Sequence, residues 1–191
     1  MPVVLDANIS DFYISISGNV APDHQLLLKK YVILHVNSPA KIAGTGKKNK
    51  IKYMYPEEIV IPMKEELTEN GFSELLTAEA VESKLAEKGT TLVMINSVCG
   101  CSAGTARPGV LMAVHNAGKK PDHITTSFAG FDIEAVRKLR EHLMPYPPSS
   151  PAIALFKDGK LVHFIERHNI EGRSAQMIAE NLIGAFEQHC N

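Results

Sequence analysis

TTLVMINSVCGCSAGTARPG, running from Thr90 to Gly109, joins an apolar run to two cysteines one glycine apart. Thr90–Val98 is almost unbroken in apolar and β-branched residues, the pattern of a strand buried on both faces. Helical spacing takes over after it. Ala106, Val110, Ala113, Val114 and Ala117 make an apolar face, with Gly118 placed as a C-cap. Pro108 within that stretch predicts a kink. Cys99 and Cys101 therefore stand where a strand hands over to a helix.

Upstream, PEEIVIPMKEELTENG (Pro56–Gly71) predicts a helix with Ile59, Met63 and Leu67 inward and Glu65 and Glu66 on a solvated face. TAEAVESKLAEKG predicts a second helix, with Thr77 as N-cap, Val81 and Leu85 inward and Gly89 as the stop. Downstream, ITTSFAG (Ile124–Gly130) is a further strand candidate. DIEAVRKLREHLM predicts a helix capped by Asp132, with Ile133, Val136, Leu139 and Leu143 on its apolar stripe. AIALF and LVHFIER flank KDGK, whose Asp158-Gly159 pair signals a tight hairpin. SAQMIAENLIGAFEQHC closes the pattern as an amphipathic helix, capped by Ser174, with Met177, Ile178, Leu182, Ala185 and Phe186 inward.

From Thr90 the order is strand, helix, strand, helix, strand, strand, helix. A β-α-β unit joined to a β-β-α unit implies an α/β fold with a mixed central sheet and helices on both faces, a thioredoxin-like arrangement. In that arrangement the strand before the final hairpin opens on a cis-proline beside the active cysteines. Pro151, following Ser150, holds that place.

Composition sets the bounds. The chain of 191 residues is 45% apolar and 21% charged, enough for a real core. A net charge of −1 argues against a nucleic-acid partner, and no segment has the apolar length of a membrane span. The expectation is a cytoplasmic protein without a secretory leader, its three cysteines serving thiol chemistry. Residues 1–53 carry three Asp against seven Lys, and the remainder carries a net −5. The break falls at the Gly- and Lys-rich AKIAGTGKKNKIK (Ala40–Lys52). Residues 1–52 therefore read as a disordered or loosely attached extension, though DFYISIS and YVILHVN are strand-like, and residues 53–191 as the domain.

The first turn of a helix offers unpaired N–H groups and the positive end of the helix dipole, so Cys99 is expected as a thiolate. A Cys99–Cys101 disulfide closes a ring of about 11 atoms, and Gly100 gives that ring its bend. Strain of this kind suits a transient bond in which Cys99 attacks and Cys101 resolves. Two other readings stay open. One is a general protein disulfide isomerase or reductase using the same cysteines. The other is a metal-binding protein with Cys99, Cys101, Cys190 and a histidine as ligands. Cys190, next to the chain end, reads as an incidental thiol at a fraying terminus. His163 reads as a partly buried strand residue and His168 as a loop or cap residue.

IPMKEELTENGF, the LTAEAVE run, TTLVMINSVCGCSAGTARPG, PSSPAIALFKDGKLVHFIERHNIEG and the terminal HC together resemble the bacilliredoxins, thioredoxin-fold proteins with a CGC motif. The resemblance spans roughly Tyr55 to Cys190. The chain departs from the family pattern at Glu166, where proline is expected, and at Arg173, where histidine is expected. The resemblance implies a thiol–disulfide oxidoreductase that removes bacillithiol from protein mixed disulfides. Cys99 matches the family's attacking cysteine and Cys101 its partner. Bacillithiol is then a low-molecular-weight thiol co-substrate rather than a bound cofactor, and the partners are bacillithiolated or otherwise oxidised proteins.

Overall fold

The computed structural model describes residues 53–191. The expected N-terminal extension, with its strand candidates, lies outside the described residues.

The fold is built around β2 (Thr90–Asn96), all seven of whose residues are buried. Its side chains alternate between two cores. Leu92 and Met94 enter one with Val110, Ala113, Ile178, Leu182 and Phe186. Val93 and Ile95 enter the other with Val81, Leu85, Val136 and Leu139. β2 pairs in parallel with β3 (His123–Phe128) and antiparallel with β4 (Ala152–Lys157). β4 turns back into β5 (Lys160–Ile165) through Asp158 and Gly159, both at positive φ, as the Asp-Gly pair demands. A two-residue edge strand, β1 (Ser73–Glu74), completes the order β1-β3-β2-β4-β5. Two residues give no alternation to detect, and this strand has no sequence signal.

Helices cover both faces. α1 (Glu57–Thr68), α3 (Arg107–Asn116) and α6 (Ala175–His189) bring Leu67, Val110 and Leu182 to the first core. α2 (Ala78–Leu85) and α4 (Ile133–His142) bring Val81 and Leu139 to the second. A single turn, α5 (Arg167–Ile170), lies between β5 and α6. The β-α-β and β-β-α halves share one mixed sheet, so the fold is thioredoxin-like. Thr77 and Ser174 cap α2 and α6, accepting from the N–H groups of Ala80 and Met177.

Several expectations are corrected. In α1 the inward residues are Val60 and Leu67, while Ile59 is 48% exposed. A strict four-residue spacing drifts about 40° per step, whereas Val60, Met63 and Leu67 stay on a narrower face. Asp132 precedes α4 without capping it. Its carboxylate accepts from the Phe128 N–H at 2.7 Å and pairs with Lys64 at 2.9 Å. Ile133 and Met177 face outward, and Ala135 and Ala179 fill the inward positions beside their neighbours. α3 ends on Ala117 in an extended conformation, so Gly118 is not its left-handed cap.

Cys190 is no frayed end. It is 3% exposed, belongs to the first core, and its N–H donates to the Phe186 carbonyl at 2.8 Å. Gly109 has a packing duty that its sequence position does not show. A Cβ there would lie 2.8 Å from Ile178 Cβ and 3.0 Å from the Ala175 carbonyl, so α3 and α6 touch backbone to side chain.

Candidate active site

β2 delivers its C-terminal end to the cysteines. Asn96 is the last strand residue, and its buried side chain organises the loop beyond the strand. Its Oδ1 accepts from the Ser97 N–H and the Ser102 hydroxyl, both at 2.8 Å, and its Nδ2 donates to the Met63 carbonyl at 3.0 Å. Cys99 then occupies the helix start. Its carbonyl takes the N–H groups of Ser102 and Ala103. Its Sγ lies 3.3 Å from Ser97 Oγ and 3.4 Å from the Ser102 nitrogen, both of them donors. Cys101 falls in the first turn, as its spacing implies. Gly100 has open space where a Cβ would stand.

A π-helical turn, Ser102–Ala106, separates the cysteines from α3, with the Arg107 N–H donating to the Ser102 carbonyl. Pro108 has no N–H to continue an ordinary helical ladder at this point. The expected kink therefore takes the form of one wide turn.

Arg107 lies beneath this turn, 2% exposed. Its Nη1 is 3.2 Å from Asn96 Oδ1, 3.3 Å from the Ser97 carbonyl and 3.3 Å from Ser102 Oγ. Its Nε and Nη2 fork onto the Glu66 carboxylate of α1. Glu66 is therefore not simply a solvated face residue. It is half-exposed, with its carboxylate turned onto a buried cation.

Burial raises the Cys99 thiol pKa. The opposing effects are larger in sum: hydrogen bonds from Cys101, Ser97 and the Ser102 N–H, and the charge of Arg167, hold it below the ordinary thiol value. Burial pushes Cys101 above that value, and the neighbouring Cys99 thiolate pushes the same way. The two thiols are thus held apart in acidity, with Cys99 the one that ionises first.

Arg167 is the residue that the sequence did not single out. It opens α5, pairs with Glu171 at 2.6 Å, and reaches the Ser150 carbonyl at 3.3 Å. Glu166 caps this turn, accepting from the Asn169 N–H while Asn169 Oδ1 accepts from Glu166. The adjacent His168 is exposed, and His163 bonds Asn181 at 2.7 Å, in keeping with a strand residue. The Ser150–Pro151 peptide bond is cis, and so is Met144–Pro145, for which the sequence carried no expectation.

Cys190 is at the opposite end. Its thiol lies beside Thr90, the first residue of β2, whereas Cys99 comes three residues after the last. Six rises of about 3.3 Å place the two cysteines on the order of 20 Å apart. The zinc set of Cys99, Cys101, Cys190 and a histidine does not assemble.

The Disulphide isomerase family model matches residues 55–190. A bacilliredoxin of Cytophaga hutchinsonii is 60% identical over 135 residues, covering 71% of this chain and 99% of the relative. The chain belongs to the bacilliredoxin family. A second member, bacilliredoxin BH1716 of Halalkalibacterium halodurans, is 52% identical over 137 residues, covering 71% of this chain and 94% of its own. Among solved structures, the oxidised thioredoxin of Plasmodium falciparum aligns with a TM-score of 0.44 at 14% identity, over 61% of this chain and 98% of that one. Family membership makes the chain a thiol–disulfide oxidoreductase. No helix among the described residues is long and apolar enough to cross a membrane.

Proposed function

We propose that the chain removes bacillithiol from protein mixed disulfides, with Cys99 attacking and Cys101 resolving. The observation that carries this assignment is the asymmetry of the pair: Ser97 Oγ and the Ser102 N–H both donate to Cys99 Sγ. The Cys99 thiolate attacks the bacillithiol sulfur of the mixed disulfide. The protein sulfur leaves as a thiolate and takes a proton from water. Cys99 now carries the bacillithiol, and Cys101, once deprotonated, attacks Cys99 Sγ. That step closes the Cys99–Cys101 disulfide and releases bacillithiol as a thiolate. Two electrons have passed from the dithiol to the mixed disulfide, and two equivalents of a low-molecular-weight thiol return them. Gly100 spaces the pair, and Ser150 and Pro151 border it. No cofactor enters the sequence, and a reducing compartment such as the cytoplasm keeps the dithiol ready.

The test is a trap. Cys101→Ser protein given a bacillithiol-capped protein accumulates an adduct on Cys99, read by intact mass and peptide mapping. An adduct on Cys101 in Cys99→Ser protein, with Cys99 untouched in the wild type, reverses the assignment. Turnover of scrambled ribonuclease that exceeds turnover of the capped protein favours general disulfide isomerisation instead.

A further inference from the structure

Beside the cysteine loop lies a cavity of about 280 Å³ that the exchange chemistry leaves unused. Its lining brings Ser97 and Ser150 together with Arg137 and Arg140 of α4. The residues lining it include these two arginines and no carboxylate. Among the described residues neither arginine makes an ion pair. Arg140 Nε is also buried without a hydrogen-bond partner, the one buried side-chain nitrogen or oxygen so placed among the described residues. A guanidinium matches a carboxylate as a two-pronged fork, and here one prong is already stripped of water. A third guanidinium, that of Arg167, donates to the carbonyl of Ser150, one of the lining residues. The link to chemistry is short, because Ser97 both lines the cavity and donates to Cys99 Sγ at 3.3 Å.

We infer that this cavity binds the carboxylate-bearing body of the thiol that Cys99 takes from the mixed disulfide, with Arg140 as the principal contact and Arg137 as a second cation. The inference rests on the exchange reading above, in which Cys99 bonds to the sulfur of the cap rather than to that of the protein. The transferred thiol is then anchored through Cys99, and its body extends past Ser97 into the cavity. The site selects the cap by charge, while the protein that carried it leaves from the open side of the dithiol.

The experiment uses the full chain and one reporter protein whose single cysteine is capped in turn with mercaptosuccinate, which carries two carboxylates, or with neutral mercaptoethanol. The quantity read is the ratio of kcat/KM for the two caps. Comparing this ratio between enzymes cancels the intrinsic reactivity of each cap. Arg140→Gln lowers the ratio about tenfold, as loss of a charge-assisted hydrogen bond requires, and it does so through KM for the anionic cap. Arg140→Lys recovers part of it, since charge remains and the fork does not. A ratio unchanged in Arg140→Gln overturns the inference.

A second measurement needs neither turnover nor a stable Arg140 variant. In Cys99→Ser protein, succinate shifts the Arg140 Nε–Hε resonance saturably, and sodium chloride at equal ionic strength does not. A resonance that ignores succinate, or that moves equally in chloride, overturns the cavity assignment. Failure of the wild type to turn over either cap defeats the exchange reading and leaves this second measurement to judge the cavity on its own.

Discussion

Replacing Arg107 with methionine removes a buried cation from beneath the cysteine loop while keeping an unbranched chain of similar length. Nη1 stands 3.2–3.3 Å from three acceptors but carries only two hydrogens, so its contribution is two charge-assisted bonds, one of them shared. At roughly 1.5 kcal/mol each, the low end for bonds of this length, they amount to about 3 kcal/mol. Asn96 Oδ1 keeps the Ser97 N–H and the Ser102 hydroxyl, so the main orphan is the Ser97 carbonyl. The Glu66 contact adds little. That carboxylate is half-exposed, water takes it back, and the pair is discounted to below about 1 kcal/mol. Urea unfolding of Arg107→Met should therefore show a loss of about 3 kcal/mol at unchanged m-value, against about 1 kcal/mol or less for Glu66→Gln. Exchange by the folded variant should also slow, because Ser102, whose N–H faces Cys99, loses its support. Buried ion pairs can be replaced by apolar side chains with a gain in stability. If Arg107→Met is as stable as the wild type or more so, the network is not what holds the loop. If Glu66→Gln costs as much as Arg107→Met, the ion pair and not the neutral acceptors carries the energy.

Alkylation by iodoacetamide should label Cys99 first, and its rate should rise with pH through an inflection below the ordinary thiol range. The sign follows from the thiolate being the reactive form, and Arg167→Gln should move the inflection upward. Peptide mapping that finds Cys101 or Cys190 labelled first contradicts this. Cys190→Ser should keep exchange within about twofold of the wild type, since some 20 Å of β2 separates it from Cys99, and a loss of about tenfold would make it a participant. Gly109→Ala should destabilise by about 1–3 kcal/mol despite alanine's better helix propensity, because its methyl group meets Ile178 and the Ala175 carbonyl. A rise in the unfolding midpoint would show that α6 gives way freely.

What was legible in the sequence is what local chemistry decides. Seven buried residues in Thr90–Asn96, the positive φ angles of Asp158 and Gly159, and the caps Thr77 and Ser174 all follow from residues a few positions apart. The placing of Cys99 ahead of Cys101 at a helix start was legible for the same reason. The supports of the site were not. Glu66 and Arg107 are 41 positions apart, and either taken alone is an ordinary charged helix residue. Arg167 stands 60 positions or more from both Cys99 and Cys101, in a short polar run whose pattern gives no sign of where its charge will act. Asp132 illustrates the same limit in reverse: a good local cap turns instead to the Phe128 N–H, four positions back, and to Lys64, which only the folded chain brings near. Burial misread Ile59 and Ile133 because apolar character says that a side chain is better covered, not that a neighbour is there to cover it.

The charge that serves the nucleophile and the frame that aims it come from different stretches of chain. Arg167 acts on the dithiol from α5, fastened to Glu171 and the Ser150 carbonyl. Asn96 and Arg107 shape the loop from β2 and α3 and share no hydrogen bond with it. Substitutions around α5 can therefore tune the readiness of Cys99 to ionise without repacking the loop. Substitutions in the buried frame shift the Ser97 and Ser102 donors together with the loop, so they change aim and acidity at once. One dial at this site turns alone, and the other always turns both.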